Sequence, residues 1–293
     1  RRARVAMALS KLSGDEQGVI FVQLCNVLDP GIAVALSSVS NELRTATRVL
    51  LQQLKTDHEA AAALCRKLGR RNCKGLREAM VLDHRHNKGL TVDELKLLGT
   101  LGSVLPALES LILFEPAASP DGVQQLAAGL GAGALPALTE LHIFHTHVGD
   151  AGASALAAAL GQGALPRLKR LHLENAAIGD TGLLALAPAL RRRPALESLG
   201  LERNPIGDEG LAALVAPPPP AGAPPPTTGG LVQLKKLDLS RTQITDAGCA
   251  TLAAALDRGA LPAFEYLFLH GIPASAAAKA ALQAKSYFKI YAS

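Results

Sequence analysis

Tryptophan is absent from the 293 residues, and aromatic side chains make up 3% of a chain that is 48% hydrophobic. A single thick core of this size normally draws on large rings. Here the bulk has to come from Leu and Ala, which suits thin repeated layers better than one deep core. Long hydrophobic runs are missing too. None approaches the roughly 20 residues that cross a bilayer, so no membrane span is expected. Cysteine is scarce: Cys25, Cys65, Cys73 and Cys249 form no CxxC pair and no regular framework. That argues against a disulfide scaffold and for a reducing compartment, the expectation being an intracellular, cytoplasmic protein, or an organellar one if a targeting peptide has been removed.

Motifs that carry chemistry are also lacking. There is no serine in a nucleophile elbow, no phosphate-binding loop and no Gly-rich dinucleotide motif, so neither catalysis nor a cofactor is expected. The net charge of +5 is unevenly placed. Residues 1–104 hold 16 of the 30 Lys and Arg but only 10 of the 25 Asp and Glu. Basic stretches such as 66–77 have no interleaved aromatics on which bases would stack, so nucleic acid is not the expected partner.

Self-similarity is what the chain does have. Related segments begin at Leu105, Leu135, Leu165, Pro194, Leu231 and Leu261. One equivalent leucine runs through them as Leu111, Leu141, Leu171, Leu199, Leu237 and Leu267, at spacings of 30, 30, 28, 38 and 30. The long spacing contains the proline-rich insert 216–230. Alternating leucines, as in LHL and LDL, share one face of a short strand. Asp150, Asp180, Asp208 and Asp246 each precede an apolar run at helical spacing, where an aspartate can cap free backbone N–H groups. A lone strand–helix unit cannot cover its own apolar face, so the units must stack.

The LxxLxL pattern followed by a capped helix resembles the leucine-rich repeat family, in its long, ribonuclease-inhibitor-like class. The resemblance spans about residues 76–293. It implies an α/β fold, a curved leucine-rich repeat solenoid of about seven strand–helix repeats preceded by a small N-terminal helical region. It also implies an asparagine shortly after the third strand leucine that ties successive turns together. Asn175 and Asn204 are the candidates; Glu115, His145, Arg241 and Gly271 stand in the other copies, leaving the ladder incomplete.

The expected domains are a basic tail (1–15), a helical region (16–68) and the solenoid (69–293). At the start of the solenoid, Leu76, Ala79 and Val81 fit strand positions, and Thr91 with Glu94 fits a capping box. The stretch Asp83 to Glu94 also has the length of an EF-hand loop, but Arg85 stands where a ligand belongs and Lys88 where the turn glycine belongs, which opposes a calcium ion. At the other end Ser275 can cap a final helix, with Tyr287, Phe288 and Tyr291 covering the stack. The segment 19–44 resembles an F-box through Phe21, Leu24, Leu28, Asp29, Pro30, Leu36, Val39 and Leu43, without the usual Leu-Pro start. That resemblance implies docking to the linker subunit of a cullin ubiquitin ligase; the alternative is a plain helical cap.

The residues flanking the strand leucines face away from the helices, on the concave side of the expected solenoid. The candidate partner-binding set is Ile112, Phe114, Glu140, His142, Phe144, Arg170, His172, Glu174, Glu202, Lys236, Asp238, Tyr266, Phe268 and His270. Ser110, Ser198, Gly200 and Ser240 complete the rows. His142, His172 and Glu174 suggest a metal only on paper, since paired imidazoles on a solvated sheet are usually polar surface. Aromatic anchors beside Arg and acidic groups are what binding surfaces use. The expected function is therefore a non-catalytic scaffold that binds a protein partner. Alternatives are an F-box-type substrate receptor and a structural subunit of a larger complex.

Overall fold

The computed structural model describes residues 13, 26–38, 41–84, 89–114, 120–145, 147–216, 230–284 and 289–292. Two compact units divide between Ala79 and Met80. The first holds four helices, α1 (Gly31–Ser37), α2 (Asn41–Ala46), α3 (Arg48–Lys67) and α4 (Cys73–Arg77). Ala33 and Leu36 of α1 bury against Leu54 of α3, with Val27 and Leu51 at the margin. His58 of α3 lies 2.6 Å through Nδ1 from the Val27 carbonyl, which ties the helix to the segment before α1.

The second unit is a leucine-rich repeat solenoid. Its strands are β1 (Val81–Asp83), β2 (Ser110–Phe114), β3 (Glu140–Phe144), β4 (Arg170–His172), β5 (Ser198–Gly200), β6 (Lys236–Asp238), β7 (Tyr266–Phe268) and β8 (Lys289–Tyr291). They form one open parallel sheet in chain order. Between them run α5 (Val92–Thr100), α6 (Pro120–Gly129), α7 (Gly149–Gly161), α8 (Asp180–Arg191), α9 (Asp208–Leu214), α10 (Asp246–Asp257) and α11 (Ala276–Ala284). The strand leucines pair in register from Leu82 through Leu111, Leu141, Leu171, Leu199 and Leu237 to Leu267, and all are buried.

The ends differ from expectation. Leu82 pairs with Leu111, so Ala79, Leu82 and His84 hold the inward positions of the first repeat, while Val81 faces out. Leu82 thus stands 29 residues before its equivalent Leu111. Thr91 and Glu94 do make the reciprocal capping box. That commits the Glu94 carboxylate to α5; the calcium-loop positions 85–88 lie outside the described residues. At the C-terminus Ser275 accepts from the Ala278 N–H as a cap, but the chain then adds the eighth strand instead of ending on the helix. Tyr287 and Phe288 lie outside the described residues.

The repeat aspartates do not cap the helices they begin. Each reaches the next repeat. Asp150 Oδ1 accepts from the N–H groups of Gly179 (2.7 Å) and Gly182 (3.0 Å), and Asp180 Oδ1 from Gly207 (2.7 Å) and Gly210 (2.9 Å). Asp208 binds the Thr245 N–H and hydroxyl, and Asp246 those of Ser275. The second glycines of the GDTG and GDEG strings follow from this. A Cβ on Gly182 would stand 2.5 Å from the Asp150 carboxylate, and one on Gly210 would stand 2.6 Å from that of Asp180.

The asparagine positions are also corrected. His145, Asn175, Arg203, Arg241 and Gly271 share a repeat position with φ between 50° and 65°. This left-handed backbone is disfavoured for most residues and best tolerated by Gly and Asn. Asn175 is therefore a turn residue. The tying position is one residue later, held by Ala176, Asn204, Thr242 and Ile272, all buried. Asn204 alone among these acts as a tie, accepting from the Ala176 and Ile178 N–H groups at 3.0 Å and donating to the Leu173 carbonyl at 2.6 Å.

The 28-residue repeat has its own compensation. Where its neighbours pass a backbone bond from Leu135 to Gly102 and from Leu165 to Ala134, the Arg193 N–H turns back to Leu190. Its guanidinium donates instead to the carbonyls of Leu160, Ala164 (2.7 Å) and Leu165 (3.3 Å).

These contacts set two expectations. Asp180→Ala strands two amides and should lower unfolding stability by about 1–3 kcal/mol in urea, with Asp180→Asn losing less because an acceptor remains. Arg193→Ala should lose a similar amount of about 1–3 kcal/mol. The same change at exposed Arg192 should stay within about 0.5 kcal/mol.

Candidate functional site: the open face of the sheet

Parallel registration turns the outward residues into rows. The first runs Val81, Ser110, Glu140, Arg170, Ser198, Lys236, Tyr266 and Lys289; the second runs Asp83, Ile112, His142, His172, Gly200, Asp238, Phe268 and Tyr291. Phe114 and Phe144 pair in a third row, whose line continues past the strand ends as Glu174, Glu202, Ser240 and His270. All fourteen candidate residues thus fall on one face. Arg170 is exposed and the others are half-buried.

In the N-terminal half the rings pack on each other. His142 and His172 lie 4.7 Å apart between ring centres, His142 and Phe144 5.4 Å, and Phe114 and His145 5.1 Å. Glu140 sits between Arg170 and His142: Arg170 binds one carboxylate oxygen and His142 Nε2 lies 3.6 Å from the other. Burial pushes the His142 pKa down, helped by the nearby His172 and opposed by Glu140.

A second chain of contacts crosses two strands. Ser198 Oγ lies 3.2 Å from His172 Nε2, and His172 Nδ1 lies 3.0 Å from Glu174 Oε1. The order of groups is that of a serine nucleophile, base and orienting carboxylate. What such chemistry needs next is a set of N–H donors for a developing oxyanion. The backbone N–H groups around Ser198 are committed to the sheet: Ser198 donates to Lys169, Leu201 to Asp238 and Lys236 to Glu197. The contacts hold His172 at a set angle. Gly200 leaves the room, since a Cβ there would come within 3.0 Å of both His172 and Glu174.

The C-terminal half is a separate cluster. Phe268 and Tyr291 stack at 4.8 Å and 7°, and the Lys236 ammonium lies 4.9 Å from the Phe268 ring centre. Sequence reasoning had assigned Tyr291 to an end cap. It also missed an ion ladder at the entry to the strands, where Glu197 binds Lys169 at 3.4 Å and Lys235 at 3.3 Å. Those two lysines hold the Glu197 carboxyl below its usual range. The signal was present, since the positions just before β4 to β7, Lys169, Glu197, Lys235 and Glu265, alternate in charge. Among the described residues no group of three or more His, Cys, Asp and Glu is arranged to hold a metal.

Leu28 and Leu36 are buried and Pro30 is half-buried. Phe21, Leu24, Val39 and the Leu43 side chain lie outside the described residues. The exposed apolar side chains of these helices are Ile32, Val34, Val49 and Leu50.

Residues 135–157, 165–187, 194–215 and 233–253 match the Leucine Rich repeat family. These segments are leucine-rich repeats. Among solved structures the chain is similar to internalin C2 of Listeria monocytogenes, at 18% identity and a TM-score of 0.46, over 80% of this chain and 92% of that one. An internalin (inlF) of the same organism is similar at 14% identity and a TM-score of 0.32, over 80% and 89%. TLR13, in its complex with ssRNA13, is similar at 19% identity and a TM-score of 0.38, over 71% of this chain but 28% of that one. No curated protein matches the sequence. Leucine-rich repeat proteins generally mediate protein–protein interactions. No helix among the described residues is long and apolar enough to cross a membrane.

The lowered His142 pKa gives a pH test. The unfolded chain takes up its proton near the ordinary value of 6.5, whereas the folded chain does so only at lower pH. The stability that neutral His142 contributes is complete above 6.5 and falls away as the pH drops through the lowered folded value. His142→Gln should therefore lose less stability than the parent between pH about 7.5 and about 5.5, read as urea midpoints.

Proposed function

We propose that the open face of the sheet binds a protein partner and that the chain works as a non-catalytic interaction module of the ribonuclease-inhibitor-like class. The observation that carries this is the set of half-buried outward rings. His142 packs on Phe144 and His172, and Phe114 on His145, at one end of the parallel frame, while at the other Phe268 stacks on the more exposed Tyr291. Side chains already held in place lose little freedom on association, which favours aromatic anchors as energetic centres. Arg170, Glu174, Glu202 and Asp238 between them supply charge that selects among partners. The helix after each strand supports the class assignment, and the unlinked Cys65, Cys73 and Cys249 support an intracellular setting.

The test is capture of the native protein from its own cells, followed by affinity measurement with the stoichiometric partner. Phe144→Ala and His172→Ala should each weaken binding by about 2 kcal/mol, roughly 30-fold in Kd. Arg192→Ala, outside this face, should leave it unchanged. A partner insensitive to both face variants would overturn the assignment. Capture of a cullin linker subunit, lost on changing Ile32 and Val49 to Asp, would replace it with the substrate-receptor reading.

A further inference from the structure

The helical unit contains a pair of thiols that the open face does not use. Cys65 lies in the last turn of α3 and Cys73 is the first residue of α4. Their Sγ atoms are 3.7 Å apart, in contact but unbonded. The chain between them turns back through Gly69 at φ 70° and is closed by the Arg70 N–H donating to the Cys65 carbonyl at 2.8 Å. Asn72 caps α4 through the Gly75 N–H. Both ends of the turn are thus pinned, and the sulfurs meet because of it. Residues 66–74 carry five cations, Arg66, Lys67, Arg70, Arg71 and Lys74, and no acid.

We propose that Cys65 and Cys73 are an oxidisable dithiol, a modification site that closes to an intrachain disulfide with a hydroperoxide as oxidant. Cys73, 6% exposed, is the sulfur a small peroxide reaches; Cys65 is fully enclosed. The Cys73 sulfur gives up its proton and attacks one peroxide oxygen, the O–O bond breaks, and the departing hydroxide takes up that proton to leave as water. The sulfur is left as a sulfenic acid. Cys65 then attacks that sulfur, the S–O bond breaks, and the hydroxyl leaves with the Cys65 proton as a second water. Two thiols give up two electrons and two protons, and one peroxide becomes two waters. Burial and the adjacent sulfur push the Cys65 thiol up to about 12, so it waits as the neutral partner until Cys73 is oxidised. The sulfurs need only approach from contact to the bonded distance of about 2.05 Å. Cys249, buried in the solenoid, has no such partner among the described cysteines.

The experiment treats the full chain, folded and reduced, with equimolar hydrogen peroxide, quenches it in a denaturing alkylating agent and counts free thiols. The count should fall from four to two. Trypsin cuts between the two cysteines, after Arg66, so the fragments carrying Cys65 and Cys73 should co-migrate only without reductant and separate with it. Cys25→Ser should still lose two thiols; Cys65→Ser and Cys73→Ser should each lose none to a disulfide. The peptide map is read on the parent chain, so a variant that fails to fold does not decide the matter. Four thiols surviving the peroxide would overturn the proposal. So would a link through Cys25 or Cys249, or a metal ion that co-purifies with the pair and shields it.

Discussion

One carboxylate per repeat, held by the next repeat's backbone, is the interaction on which the solenoid rests. A helix of seven to thirteen residues begins with amides that have no partner within the helix. If each repeat capped its own helix unaided, the repeats would be joined only by the sheet and by apolar contact. Here α8 and α9 take their cap from the previous repeat, and the caps of α10 and α11, Thr245 and Ser275, are themselves held by it, so Asp150, Asp180, Asp208 and Asp246 each make the next unit dependent on its neighbour. The glycines that admit those carboxylates, the height at which each helix starts and the register of the next strand are set together. Ser275, the last to receive one, starts the helix that delivers the chain to β8.

Irregularities are absorbed by side chains. The repeat that is two residues short loses a backbone bond at its turn, and the Arg193 guanidinium supplies the donors. Asn204, buried among carbonyls and amides of two repeats, ties the turn where its neighbours have Ala, Thr or Ile. These substitutions leave the sheet intact because a parallel strand asks its neighbour only for alternate backbone groups and an inward leucine. The outward positions are then free to vary. That freedom is why one regular frame carries a histidine–phenylalanine cluster at one end and a lysine–aromatic cluster at the other.

The outward rows show how much of a site is legible beforehand. Which residues face out followed from the leucine pattern, since side chains alternate along a strand. That Arg170 would pair with Glu140, or that Ser198 would meet His172, did not follow. Those contacts join residues about thirty positions apart, and side-chain rotation decides them. The helical unit was less legible still. Leu28 and Leu36 match F-box positions and are buried, and an amphipathic pattern tells which face is apolar and not what covers it.

Taken alone, the sequence determined the period, the inward leucines, the strand–helix alternation and the place of the insert, because each is a local pattern of apolar spacing and turn residues. The tertiary structure decided which repeat an aspartate serves, where the first strand registers, that the chain ends in a strand, and that Cys65 meets Cys73. A side chain's hydrogen-bonding partner is chosen by geometry across the fold. An aspartate at a helix start looks the same in sequence whether it caps its own helix or the next.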